Sequence, residues 1–354
     1  MDNALDASAP GSRVVLVGGE CVVGRALLDS WQLAGVAATV VGRAPADGTE
    51  AEVAGHPVVD VNRRAAVASA LSGAAELVIL GATGVRDADG SGIGLLDEPL
   101  VAAVLAEAAR NPPGHVTVLS TALAYELAVG GPSLRTENDP LVPGRVRAVA
   151  DRVRLESLVA GWEATTKVPV AVLRPVLVAS VEARSWFGRS AWRNRRLCPS
   201  PRPVVQYVLL RDVVGAAEVV RRRRAAGAFN VAPDGWLEGA ETVELADRRF
   251  VVGAPPAVLA FVEWLRWWTW WSPTPPALLD LARHDVAVDS ARLRSEGWAS
   301  SHSNTEAFLV AHAPAWWPSL SARRRQDLVL GGALMTVAAA SAAAVVALRR
   351  VRRS

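Results

Sequence analysis

The sequence predicts an α/β protein built on a doubly wound parallel sheet. Three observations carry that expectation: short β-branched apolar runs recur along the front half, helical patterns fill the intervals, and a glycine-rich turn joins the first run to the first helix. Residues 13–17 (Arg-Val-Val-Leu-Val) read as a strand buried on both faces. Gly18-Gly19-Glu20-Cys21-Val22-Val23-Gly24 follows, and a helical pattern runs over 25–33. Further strands are expected at 38–41, 57–61, 77–80 and 116–119, with a helix over 95–110. A strand, a glycine turn and a helix N-terminus aim backbone N–H groups at a place where a pyrophosphate can sit.

Composition narrows the class. A chain of 354 residues suffices for one large α/β domain with appendages. Cys21 and Cys198 are the only cysteines, too few for a disulfide framework, which points to a reducing compartment. No basic segment followed by an apolar stretch and a cleavage site opens the chain, so the globular part is expected in the cytoplasm. The isoelectric point near 9.3 comes from arginines at 221–224, 323–325 and 349–353. No aromatic or helix–turn–helix pattern accompanies that charge. It fits solvated helix ends or a membrane surface and argues against nucleic acid.

More landmarks follow in a fixed order. Asp60-Val61 ends the third strand and Gly81-Ala82-Thr83 the fourth. Leu119-Ser120-Thr121-Ala122-Leu123-Ala124-Tyr125 leaves the fifth, and Val172-Leu173-Arg174-Pro175 forms another strand. A strand–helix junction spans 208–213 with Asp212, and Phe229-Asn230-Val231 and Arg294-Ser295-Glu296-Gly297-Trp298 close the series. Over residues 12–310 the chain resembles the extended short-chain dehydrogenase/reductase family, the NAD-dependent epimerase/dehydratase group. The resemblance implies a Rossmann NAD(P)-binding fold with a small C-terminal substrate-side lobe, mainly 181–206 and 236–310. It also implies NADP or NAD as cofactor. The cofactor-binding positions it implies are Gly18, Gly19, Val22, Val23, Gly24, Arg43, Asp60, Val61, Gly81, Ala82, Thr83, Ser120 and Arg152. Thr121 falls at the catalytic hydroxyl position.

The chain departs from that family where chemistry is done. Lys167 is the only lysine, and Tyr125 and Tyr207 the only tyrosines, so no Tyr-x-x-x-Lys pair exists. Aligning the family's Tyr-x-x-x-Lys-x-x-x-Glu on Glu156 puts Arg152 at the lysine and Ala148 at the tyrosine. Arginine can hold a ribose, but a pKa above about 12 makes it useless as a proton donor. Cys21, preceded by Glu20, replaces the middle glycine of the turn, where a Cβ crowds a phosphate and a carboxylate repels it. Tyr125 reads as packing under the next loop, or as a donor if the chain folds back. His115 reads as a surface residue, and Glu137 and Asp139 as solvated loop carboxylates. Arg43, with no acidic residue before Asp47, leans toward a 2′-phosphate and so toward NADP.

The back half is rich in tryptophan: eight of thirteen lie beyond residue 260. On a helix Trp264, Trp267, Trp268 and Trp271 share one face, either core of the small lobe or a face lying at a bilayer headgroup region. Between 328 and 348 run 21 uncharged residues with arginines on both flanks, long enough to span about 30 Å of hydrocarbon. A transmembrane helix there is expected, the alternative being a hydrophobic helix packed on the domain. The expected organisation is a disordered N-terminus over 1–11, the domain over 12–310, a linker over 311–327, this helix, and a basic tail over 349–354. The segment 181–202, with Trp186, Trp192, Arg193, Arg195 and Arg196, either covers an anionic substrate group or forms a basic surface loop.

Two functions remain in play. One is a membrane-attached, catalytically degenerate NAD(P)-binding protein, a pseudoenzyme or scaffold. The other is an active oxidoreductase or epimerase on a nucleotide sugar or lipid-linked substrate, using a non-standard proton donor.

Overall fold

The computed structural model describes residues 13–43, 52–81, 96–126, 134–144, 146–180, 197–199, 203–245, 252–269 and 284–312. The strands are β1 (Val14–Val17), β2 (Ala38–Gly42), β3 (Glu52–Val53), β4 (His56–Asp60), β5 (Glu76–Ile79), β6 (Val116–Leu119), β7 (Val170–Pro175), β8 (Leu177–Ala179), β9 (Leu197–Pro199), β10 (Tyr207–Leu209), β11 (Gly227–Val231) and β12 (Val252–Ala254). The helices are α1 (Val22–Leu33), α2 (Arg64–Leu71), α3 (Glu98–Ala108), α4 (Arg147–Thr166), α5 (Leu210–Arg223), α6 (Gly239–Leu245), α7 (Pro256–Trp268), α8 (Ala291–Ser295) and α9 (Asn304–Ala311). The expected front-half strands each lie within one residue of their place in the sequence reading. The expected helix over 95–110 is shorter, because the Asp97 side chain caps it and sets its start at Glu98.

Eight strands pair in the order β11-β7-β6-β5-β1-β2-β4-β3. Every pair is parallel except β3 with β4. Parallel strands need crossovers, and helices cover both faces. Val14 and Leu16 of β1 pack with Leu27, Leu28 and Trp31 of α1 and Val213 and Val220 of α5. Val15 and Val17 face the other way, into Leu71 of α2, Val101 and Val104 of α3 and Leu155 and Val159 of α4. Strand alternation thus feeds two cores from one short apolar run, each such side chain contributing about 1.5–3 kcal/mol on full burial. On α1 the buried residues are Gly24, Leu27, Leu28 and Trp31, the i, i+3, i+4, i+7 face of a helix lying on a sheet.

The chain order reverses at β1, which lies between β2 and β5. In doubly wound sheets the crevice outside the carboxyl ends at such a reversal is where ligands bind. A third apolar cluster, with Leu177, Tyr207, Leu237 and Phe308, builds the side beyond β7 from the pair β8–β10 and helix α9.

Folding overturns one expectation and decides one that the sequence left open. His115 is not a surface residue: it is buried at the amino end of β6, with Nε2 2.8 Å from the Ala225 carbonyl and Nδ1 3.5 Å from Glu76. That end of the sheet is opposite the ligand edge, so no catalytic role reaches it. The tryptophan stripe is not core either. Helix α7 ends at Trp268, and its protein-facing side carries buried Leu259 and half-buried Val262 and Arg266, which leaves Phe261, Trp264, Trp267 and Trp268 outside. Trp270 and Trp271 lie outside the described residues. Lys167 sits at the left-handed C-cap of α4 (φ 61°), one residue past the helix that carries Arg152.

Among the described residues no helix is long and apolar enough to cross a membrane. The expected span over 328–348, its linker and tail, and the N-terminal 1–11 lie outside the described residues, as does most of 181–202.

The tightest backbone approach makes a testable point. A Cβ on Gly24 would lie 2.4 Å from the Gly19 carbonyl oxygen, backbone that cannot step aside. Gly24→Ala is expected to destabilise the protein by about 1–3 kcal/mol, read as a lower thermal midpoint. An unchanged midpoint would show that α1 does not press on the turn.

Candidate functional site at the carboxyl edge of the sheet

Parallel pairing brings the carboxyl ends of β1, β2, β4, β5 and β6 to one edge. Gly18, Gly42-Arg43, Asp60, Leu80-Gly81 and Ser120-Thr121 therefore line up along it. Gly18 has φ +76°, a left-handed conformation that costs a residue with a Cβ dearly and glycine nothing. It turns the chain from β1 into α1, and the missing Cβ of Gly24 lets that helix start against the turn itself.

Cys21 is the N-cap of α1. Its Sγ accepts the Gly24 N–H at 3.4 Å, so one of the donors left over at the helix start is already engaged. The residue is half-buried, but its thiol is desolvated. Burial pushes its pKa above the ordinary value, against the opposing pull of the Gly24 N–H and of the Arg152 guanidinium. The cap is a neutral thiol beside a buried cation. Val22 and Val23 form the half-buried first turn behind it.

Arg152 is only 2 % exposed. It reaches from α4 across the sheet edge, and its Nη1 donates to the carbonyls of Leu80 and, at 3.2 Å, Leu119. A Cβ on Gly81 would already touch Leu155 at 3.0 Å, Leu96 at 3.2 Å and Arg152 Nη1 at 3.4 Å. One turn earlier on α4, Ala148 is fully buried in the apolar cluster with Leu123, Val149, Leu177 and Tyr207.

The outer positions are also occupied by neighbours. Arg43 is held by the Asp97 carboxylate, with Nη2 2.7 Å from Oδ1, and that same carboxylate caps α3 through the Leu100 N–H. The bond to Asp97 raises the Arg43 pKa further above its ordinary value. Asp60 accepts the backbone and side-chain N–H groups of Asn62, and Val61 packs into the core on the α2–α3 side. Ala82 and Thr83 lie outside the described residues.

Under the edge runs a buried polar network. Arg174 of β7 pairs with Glu156 of α4 through two bonds, 2.7 and 3.2 Å. Ser120 donates to the same carboxylate. Arg174 also donates to the Tyr125 hydroxyl at 2.8 Å, and that hydroxyl donates to Asn230 Oδ1 at 2.7 Å. Asn230 is fixed in turn by Glu137, which accepts its backbone N–H at 2.9 Å. Thr121 is committed too: its Oγ1 accepts the Leu123 N–H at 3.2 Å and caps the short helical turn Ala122–Ala124. Burial drives the Tyr125 pKa up to about 12, and Tyr207, edge-on to Phe308, is raised well above its ordinary value by burial alone.

No protein-family model matches the sequence, and no curated protein is recognisably similar to it in sequence. Solved structures do match in three dimensions. A UDP-glucose 4-epimerase from Thermus thermophilus in complex with NAD superimposes with a TM-score of 0.58 at 16 % identity, over 84 % of this chain and 97 % of that one. A UDP-N-acetylglucosamine 4-epimerase from Bacillus cereus gives 0.58 at 13 %, over 85 % and 98 %. A dTDP-glucose 4,6-dehydratase from Bacillus anthracis in complex with NAD gives 0.56 at 12 %, over 85 % and 95 %. The fold is that of the NAD-dependent epimerases and dehydratases.

Within that fold the structure gathers Gly18, Gly19, Val22, Val23, Gly24, Gly81, Ser120, Thr121 and Arg152 around one edge, with Arg43, Asp60 and Val61 farther out on β2 and β4. The joint bonding of Arg174 and Asn230 with Tyr125 and Glu156 is not legible in the sequence. The partners come from four separate elements, and no local spacing reveals them. Asp97 was missed as the partner of Arg43 for the same reason. A separate cavity of about 320 Å³ lies beyond β11, lined by Ser290, Arg294, Trp298 and Ser301 among others. Its polar groups are spoken for: Asp212 accepts from Ser300 and Ser301, and Arg294 pairs with Asp234 and Asp289.

Two outcomes are expected from the network. Arg174→Met strands Glu156 inside the protein and should cost about 3–5 kcal/mol. Arg174→Met with Glu156→Gln should recover part of that in denaturant unfolding, and additive losses would refute the pairing. In an alkaline titration the folded protein should show little phenolate absorbance at about pH 10, where free tyrosine is half ionised. Because the folded pKa of Tyr125 is raised to about 12, its contribution to stability is complete below about pH 10 and is lost as pH climbs to about 12. A full phenolate signal at that lower pH without unfolding would contradict the burial of both tyrosines.

Proposed function

We propose that this chain is a catalytically silent relative of the nucleotide-sugar epimerases and dehydratases, a nucleotide-binding scaffold in place of an oxidoreductase. The observation that carries the reading is the α4 face itself: a fully buried alanine at position 148 and a sheet-bound guanidinium at 152. Neither can give or take a proton at neutral pH. The two tyrosines do not substitute for them. Tyr125 is locked between Arg174 and Asn230, and Tyr207 sits in apolar surroundings.

An NAD(P) dinucleotide fits this edge in one half only. Gly18 turns the chain at φ +76°. The missing Cβ groups of Gly19 and Gly24 let β1, the turn and α1 pack tightly, which leaves the α1 N-terminus facing a place where a pyrophosphate can sit. The Gly24 N–H is lent to Cys21, and a phosphate oxygen must compete with a thiol for it, a weak acceptor that yields readily. At the other end, Arg152, Leu155 and Leu96 crowd Gly81, beside which the resemblance implies the nicotinamide ribose, and Arg152 is already bonded to the Leu80 and Leu119 carbonyls. Asp97 holds Arg43, so a 2′-phosphate would have to displace a carboxylate, which weakens the case for NADP over NAD.

Among the matched structures are complexes holding NAD with UDP-glucose or UDP-glucuronic acid, and one holding NAD with UDP. We extend to this chain the shared ligand chemistry, a nucleoside diphosphate, without turnover of a sugar. The same proposal attaches the protein to a membrane through 328–348 and leaves the domain in the cytoplasm. The second reading, an active enzyme in which water or a substrate group moves the proton, would forgo about 10²–10⁴-fold in rate.

The test is a titration of the full-length protein with ADP-ribose, NADH and NADPH, followed by tryptophan quenching and energy transfer to the dihydronicotinamide. Saturable binding in which NADH gains less than about tenfold over ADP-ribose, under about 1.4 kcal/mol, is expected. A larger gain would show that the nicotinamide has a site. Ala148→Tyr combined with Arg152→Lys is expected to yield no robust oxidation or epimerisation of UDP-glucose, since a phenol must force its way into a closed apolar cluster. Turnover in that variant, with none in the parent, would sink the claim that cofactor binding is compromised.

A further inference from the structure

Helix α7 carries the largest exposed aromatic surface among the described residues. Phe261, Trp264 and Trp268 are 60 %, 49 % and 63 % exposed and stack on one another, with centroids 6.2 and 6.1 Å apart. Trp267, Leu265 and Val258 extend the patch. Large apolar side chains displayed together on one helix are not the ordinary mottling of a protein surface and mark an interaction site. We infer that this face docks on an anionic lipid bilayer, with the tryptophans at headgroup depth.

Three features select lipid as the occupant. Tryptophan is an amphipathic ring that concentrates at the membrane interface, and a helix lying in that plane presents such a face. By contrast the inward side of α7 is anchored by Leu259, so the helix can present its aromatics without unpacking. Beyond residue 312 the chain carries Trp316-Trp317, the arginines at 323–325, 21 uncharged residues and the arginines at 349–353. On the proposed attachment, that composition suits a bilayer carrying negative charge. The inference rests on the proposed membrane attachment through 328–348 and adds a second, peripheral contact that would fix how the domain meets the surface.

The test uses the full-length protein with vesicles of phosphatidylcholine alone or mixed with phosphatidylglycerol. It reads flotation together with backbone hydrogen exchange. Exchange over 258–268 is expected to slow on the mixed vesicles while that of α9 stays unchanged. In Trp264→Glu with Trp268→Glu, both exposed and so tolerant of charge, this protection should be lost although the protein still floats. Flotation with no slowing in α7 would overturn the docking face and leave the tail attachment standing. No flotation on either vesicle would overturn both. Protection of α7 already present without vesicles, and indifferent to them, would mean that protein covers the face, and would overturn the inference as well.

Discussion

A guanidinium inside a protein must be surrounded by oxygens, and two buried arginines, Arg152 and Arg174, organise this molecule by that requirement. Arg152 finds its oxygens on the ends of the sheet, at Leu80 and Leu119. Arg174 finds Glu156 and Tyr125. An unmatched buried charge costs several kcal/mol, whereas a matched one does little more than break even. What these arginines contribute is therefore definition more than stability. They hold α4, β5, β6 and β7 in one arrangement and fix which hydroxyls are left for anything else.

Little is left. Ser120 serves Glu156, Thr121 caps a turn, Tyr125 bridges Arg174 and Asn230, and Asp97 engages Arg43. In an acid–base enzyme the working groups must be held within reach of a substrate yet keep a proton to exchange. Here Ser120, Tyr125 and Asp97 are engaged by partners within the chain. Thr121, which only accepts in its cap, is the hydroxyl that keeps a proton to donate. The side chains along this edge are turned toward one another and toward the sheet, so they support the fold.

The glycine turn is shaped by two different constraints. Gly18 and Gly24 are demanded by backbone sterics alone, one by a left-handed φ and the other by the contact of α1 with Gly19. They are needed to join β1 to α1 whether or not a phosphate ever binds. Cys21 is under no such constraint, and its side chain caps the helix. Backbone sterics act at two glycines of the turn and leave the position between them open to a side chain.

Reading the chain alone determined the parallel sheet, the turn, the absence of a Tyr-x-x-x-Lys pair and the replacement of its members by Ala148 and Arg152. These follow from local pattern: β-branched runs buried on both faces, helical spacing on α1, and residue identity at counted positions. The tertiary structure alone decided that His115 is buried, that the α7 tryptophans face outward, that Arg43 belongs to Asp97, and that Arg174, Glu156, Tyr125 and Asn230 form one network. Each of these depends on which distant segment lies against a side chain. Periodicity tells a helix which faces differ, but only packing tells it which face is covered. Opposite charges brought together from separate strands and helices leave no mark in the spacing of either.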